Sequence, residues 1–152
     1  MKKIFAILFI GLTSLTIFTG CASKNVEGSL DELMTKVYAE LPQEETPMML
    51  QNVEVNAENM EYYLGVSDID IKEALASESA TGSIAHSVVL VRVNDGKEVH
   101  DIMTKIKENV NPRKWICVGV EESDVVVKNK GDLIILIMSE NHEKIEKGFD
   151  NL

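Results

Sequence analysis

Leu30, Leu33, Met34, Val37, Tyr38 and Leu41 recur at intervals of three and four residues between Ser29 and Pro42, the spacing of one apolar helix face. Ser29 and Glu32 stand at capping-box spacing and Pro42 closes the pattern, so a helix is predicted over 29–41. Residues 42–56 hold Pro42 and Pro47 and read as a loop, with Met48, Met49 and Leu50 as an apolar patch laid onto the core. A short helix over 57–64 stops at Gly65.

The period then changes. Residues 69–79 mix apolar and polar positions with a partly two-residue period, and 87–94 form a β-branched run. These read as two antiparallel strands joined through Ala80-Thr81-Gly82-Ser83. Asp95-Gly96 opens a helix whose Val99, Ile102, Met103, Ile106 and Val110 share one face until Asn111-Pro112 interrupts it. A second strand pair, 125–128 and 133–139, flanks Asn129-Lys130-Gly131-Asp132, where Gly131 can supply the left-handed conformation of a bulged hairpin. Leu133 to Met138 is apolar at every position, which suits a central strand covered on both faces. Ser139 or Asn141 caps a last helix carrying Ile145 and Phe149. The order is helix, minor helix, strand pair, helix, strand pair, helix. It predicts one α+β domain over 29–152, an antiparallel sheet of about four strands in two pairs with helices packed on it.

The amino end follows another logic. Lys2 and Lys3 precede an apolar run over 4–18 that ends in Thr19-Gly20-Cys21. A basic start, an apolar middle and small residues before a cysteine are the layout of a bacterial lipoprotein signal. Residues 1–20 are then a signal peptide, Cys21 is lipidated, and 21–28 are the modified cysteine and a polar tether reaching at most ~25 Å. The run is shorter than the roughly 20 residues of a comfortable membrane span, although an uncleaved anchor and a plain secretory signal are the alternatives. Two or three acyl chains on Cys21 hold a protein durably at the extracytoplasmic face of the cell membrane.

Removing residues 1–20 from 152 leaves 132, enough for one domain with its own core. The signal carries two lysines and no acid, so the formal charge of −10 becomes −12. Such a surface disfavours nucleic acid and anionic headgroups. Cys117 is then the one remaining thiol; a buried inert cysteine is expected, with an intermolecular disulfide or a reactive thiol as alternatives.

Candidate chemistry is sparse. His142-Glu143-Lys144-Ile145-Glu146 puts a histidine and a glutamate on one helix face but lacks the second histidine of a zinc-protease helix. Glu98, His100 and Asp101 cluster at a helix start, and His86 reads as an edge residue. The acid runs Glu44-Glu45 and Glu121-Glu122-Ser123-Asp124 lack EF-hand spacing. Ser83 and His86 are close in the chain without a fixed acid or oxyanion hole. No metal or cofactor is expected. Asn111-Pro112-Arg113-Lys114-Trp115 concentrates two cations and the sole tryptophan in an acidic chain. Arg113, Lys114 and Trp115 are therefore a candidate partner contact, and the alternative is that Trp115 anchors a corner of the core while the cations cap helix carbonyls.

The Cys21 signal, the helix through Leu41-Pro42, Tyr63-Leu64-Gly65-Val66, Val88-Val89-Leu90-Val91, Arg113-Lys114-Trp115 and Asp124-Val125-Val126-Val127 through Gly131 to Ile137 together resemble the bacterial lipoproteins that carry domain of unknown function 4358. The resemblance spans about residues 29–150 and implies a fold and a membrane location, without catalytic or binding residues to carry over. The expected function is a non-enzymatic binding or interaction module, anchored to the membrane through Cys21 and meeting an envelope protein partner. An envelope hydrolase or metal-dependent enzyme using some of His86, His100, His142 and the surface acids is the first alternative. The second is a small-ligand-binding lipoprotein, which needs an enclosed apolar pocket of several hundred Å³, and a sheet with helices on one face leaves little room for one.

Overall fold

The computed structural model describes residues 25–95 and 97–152. The expected signal peptide and the lipidation site Cys21 lie outside the described residues. Among those described, no helix is long and apolar enough to cross a membrane.

Helix α1 (Leu30–Val37) begins at the predicted capping box. The Ser29 hydroxyl accepts the Glu32 N–H at 3.3 Å, and the Ser29 N–H donates to Glu32 Oε2 at 3.2 Å. The last turn tightens into a 3-10 turn over Tyr38–Glu40. Farther on, the short helix α2 (Met60–Leu64) ends at Gly65, whose φ of 73° is the left-handed cap that the glycine predicts.

The fold is α+β with one antiparallel sheet, and that sheet has five strands rather than about four. Strands β1 (Leu50–Glu54), β2 (Ile71–Ser79), β3 (His86–Val93), β4 (Val125–Lys130) and β5 (Leu133–Ser139) lie in the order β1-β2-β3-β5-β4. Both predicted pairs form, and β3 joins them by pairing with β5 from His86↔Ser139 to Arg92↔Leu133. The extra strand is β1, which pairs with β2 from Leu50↔Ser79 to Glu54↔Leu75 inside the predicted 42–56 loop. Only Leu50 and Val53 of β1 are half-buried, so an edge strand recruited by its neighbour's backbone left almost no apolar pattern. The predicted Met48-Met49-Leu50 patch does not lie on the core, because Met48 and Met49 are 72% and 65% exposed.

Helices cover both faces of the sheet, which corrects the one-sided layer. On one face, α1 and α4 (His142–Asp150) set Leu33, Met34, Val37, Ile145 and Phe149 against Val88, Leu90, Ile135 and Ile137. On the other, α2 and α3 (Val99–Asn109) set Met60, Leu64, Ile102 and Ile106 against Val89, Val91, Ile134 and Leu136. The unbroken apolar run of β5 follows from this double cover, as its every residue is buried.

Near the end of β3, Arg92 ties the amino-terminal segment to the sheet. Its guanidinium donates to the carbonyls of Val26 at 2.6 Å and Gly28 at 2.9 Å, with Glu73 at 2.8 Å and Asp132 at 3.6 Å balancing its charge. Val26 itself is buried, so residues 26–28 of the expected tether are held against the domain.

Gly148 of α4 lies directly against α1, where a Cβ would collide with the Val37 carbonyl. Gly148→Ala is expected to push α4 off the core and lower the free energy of unfolding by about 2–3 kcal/mol, measured by chemical denaturation.

Candidate functional site

The end of the sheet opposite Arg92 carries two polar clusters, one on each face. Glu78 near the end of β2 and Ser87 near the start of β3 are cross-strand partners facing α2. The Glu78 carboxylate accepts from Lys114 Nζ at 2.7 Å, from Tyr62 Oη at 2.7 Å and from Trp115 Nε1 at 2.9 Å. Lys114 Nζ also reaches Ser87 Oγ at 3.3 Å and lies 4.3, 4.8 and 5.3 Å from the ring centres of Tyr62, Tyr63 and Trp115. An ammonium among three aromatic faces and one carboxylate is a caged ion pair. The Lys114 and Glu78 side chains are only 4% and 9% exposed. Burial pulls the Lys114 pKa down against the opposing pull of Glu78, and burial, with Glu78 second, drives the Tyr62 phenol above its usual range.

This geometry divides the expected contact trio. Trp115 is buried and Lys114 is spent on Glu78, so neither meets solvent as a recognition point. Arg113 alone is exposed, 3.8 Å from Glu121. Nor do the cations cap helix carbonyls: their partners are carboxylates from β2 and from the segment after α3.

On the α1 face, His86 is not at an edge but buried in the middle strand. Its Nε2 lies 2.8 Å from Tyr38 Oη and its Nδ1 lies 3.0 Å from Ser139 Oγ, which also accepts the Asn141 N–H at 3.1 Å. His86 and Ser139 are register partners on β3 and β5. Burial pushes the His86 pKa down to about 4, with a small opposing pull from Glu78, so the ring is neutral at ordinary pH. Burial also raises the Tyr38 phenol, partly offset by a hydrogen bond from Ser77. The sequence signal for this cluster is a polar residue at the terminus of each of two largely apolar strands.

Three loops close this end. The 47–49, 80–85 and 111–120 segments are laced together by the Ala80 N–H on the Met49 carbonyl at 3.0 Å and the Ile116 N–H on the Gly82 carbonyl at 2.9 Å. Between them is an open cavity of about 400 Å³ walled by Pro47, Ile84 and Val118, with His86 and Ser139 at its inner side and Glu140 also lining it. Each loop that contributes a wall also carries an apolar side chain outward or supports one. Met48 and Met49 follow Pro47; Ile116, 72% exposed, precedes Val118 and packs beside Gly82. Met49 and Cys117 adopt φ of 56° and 63°, the left-handed region that non-glycine residues occupy at a cost of about 1–3 kcal/mol. Cys117 is exposed, which overturns its expected burial.

The other two histidines singled out for chemistry do not join this site. Ser83 lines the cavity, yet the ring nitrogens of His86 are bonded to Tyr38 and Ser139. His142 Nδ1 faces Asp124 at 3.7 Å and His100 lies on α3. Among the described residues, no three His, Cys, Asp or Glu side chains gather as metal ligands. No protein-family model matches the chain, and neither a curated protein nor a solved structure matches it significantly.

Lys114→Ala strands the Glu78 charge in the interior and is expected to cost about 3–5 kcal/mol in denaturant unfolding. The His86 ring gives a pH signature. The unfolded chain takes up a proton below its ordinary pKa of 6.5, whereas the folded ring resists until about 4. Stability from this group is therefore complete above pH 6.5, declines as pH falls to 4 and is level below, a loss of about 3 kcal/mol. Unfolding curves between pH 7 and 4 should show that slope, and His86→Gln should remove most of it.

Proposed function

We propose that the chain is a membrane-tethered extracytoplasmic lipoprotein, of the kind that carries domain of unknown function 4358, and that it acts as a non-enzymatic binding module. The observation that carries this reading is the opposition of the two ends of the sheet. Arg92 holds Val26 and Gly28 at one end, and the loops with the exposed Met48, Met49 and Ile116 close the other. From His86 to Arg92 a strand runs about 20 Å. A chain lipidated at Cys21 has at most about 18 Å of backbone before Val26, so the Arg92 end rests at the bilayer and the loop end faces outward. An imidazole titrating near 4 is a weak base for drawing a proton from a hydroxyl, which supports binding over hydrolysis at His86 and Ser139.

One observation favours a second reading, a small-ligand lipoprotein. The cavity of about 400 Å³ falls within the size range of ligand pockets, and its walls are partly apolar.

Cys21→Ala is expected to move the protein out of the membrane fraction or leave an unprocessed precursor; unchanged fractionation and mass would refute the anchor. In intact cells a membrane-impermeant maleimide should label Cys117, and protection of that thiol until the cells are lysed would place the domain on the wrong side of the bilayer.

A further inference from the structure

The loop end combines a cavity with exposed apolar side chains and an unbalanced negative charge. Lys114 is committed to Glu78 and Lys144 to Glu45, while the exposed Arg113 stands 3.8 Å from an equally exposed Glu121. Glu140, exposed and lining the cavity, has no cation partner among the described residues. Glu44 is likewise exposed and unpaired, on the turn that Asn141 holds through the Glu45 carbonyl at 3.3 Å. The occupant that complements this surface is apolar at its centre and positively charged beside it. A small molecule would fill the cavity but leave Met48, Met49 and Ile116 in water. A second copy would bring another mature charge of −12 against the first, and anionic headgroups are repelled by the same carboxylates.

Resting on the reading of the loop end as an outward recognition surface, we infer that it docks a cationic peptide segment of another envelope protein. The segment seats an apolar side chain in the cavity between Pro47, Ile84 and Val118 and lays flanking lysine or arginine side chains against Glu44 and Glu140. Ile116 and the two methionines cover its remaining apolar surface. The Ala80–Met49 and Ile116–Gly82 backbone hydrogen bonds hold the adjoining loops in shape before the partner arrives, which reduces the ordering cost of binding.

The test uses the lipidated protein in phosphatidylcholine nanodiscs and a fluorescein-labelled Lys-Leu-Lys-Leu-Lys peptide followed by anisotropy. Binding is expected, weakening as salt rises, and the Glu-Leu-Glu-Leu-Glu and Lys-Ser-Lys-Ser-Lys peptides should bind at least about tenfold more weakly. Ile116→Ser, at a position 72% exposed, should weaken binding about tenfold without moving the melting temperature. The double variant Glu44→Gln, Glu140→Gln should weaken it by a smaller factor and flatten its salt dependence. Equal binding of the acidic or serine peptide, or no effect of Ile116→Ser, overturns the inference. A photo-crosslinker at position 116 in intact cells separates the two levels. Capture of a partner there with no binding of the basic peptide rejects the cationic segment and leaves the outward surface standing; failure of both rejects the surface as well.

Discussion

A strand that is apolar at every position cannot leave either face in water, and the structure is organised around that constraint. Strands β3 and β5 lie side by side and are buried along their whole length. Each therefore needs a helical layer above and below. The pairs α1 with α4 and α2 with α3 supply those layers, and the flanking strands separate the central backbones from solvent. Burial on this scale is worth roughly 1.5–3 kcal/mol per large side chain, which makes the double layer the chief source of stability.

The same constraint explains where polarity is tolerated. Buried polar side chains gather at the strand ends: Ser77, Glu78 and Ser79 on β2, His86 and Ser87 on β3, Ser139 on β5, and Arg92 near the far end of β3. Every one with a described bond has a partner that compensates for lost water, whether the Tyr38 phenol, the Lys114 ammonium or the carbonyls of Val26 and Gly28. The Glu78 cluster also shapes the surface. By drawing Lys114 and Trp115 inward it fixes the 111–120 segment against the sheet, and this turns Ile116 and Cys117 outward and leaves Val118 as a cavity wall.

Most of the fold was legible because α1 and α3 carry a three- and four-residue period, β2 a partial two-residue one, and β3 and β5 long apolar runs. Helix caps were legible too, since Ser29, Glu32 and Gly65 act through local geometry. β1 was hidden because its order comes from hydrogen bonds to β2 and its side chains stay mostly in water. The site was harder to read. Arg113, Lys114 and Trp115 look alike as a surface motif, and only Glu78, 36 residues from Lys114 in the chain, decides which of them turns inward. His86 and Ser139 are 53 residues apart, and strand order alone brings them together. The signal for Cys117 misled because its apolar neighbours suggest burial, whereas its backbone takes a left-handed turn that leaves it exposed.

The Arg92 clasp has a mechanical consequence. A pull on the amino-terminal segment does not peel away an edge strand one hydrogen bond at a time; it is delivered to the central strand, which is bonded along both sides to β2 and β5. Rupture there requires many ladder bonds to fail together in shear. The domain can thus carry tension between its amino-terminal segment and its loop end while keeping its shape.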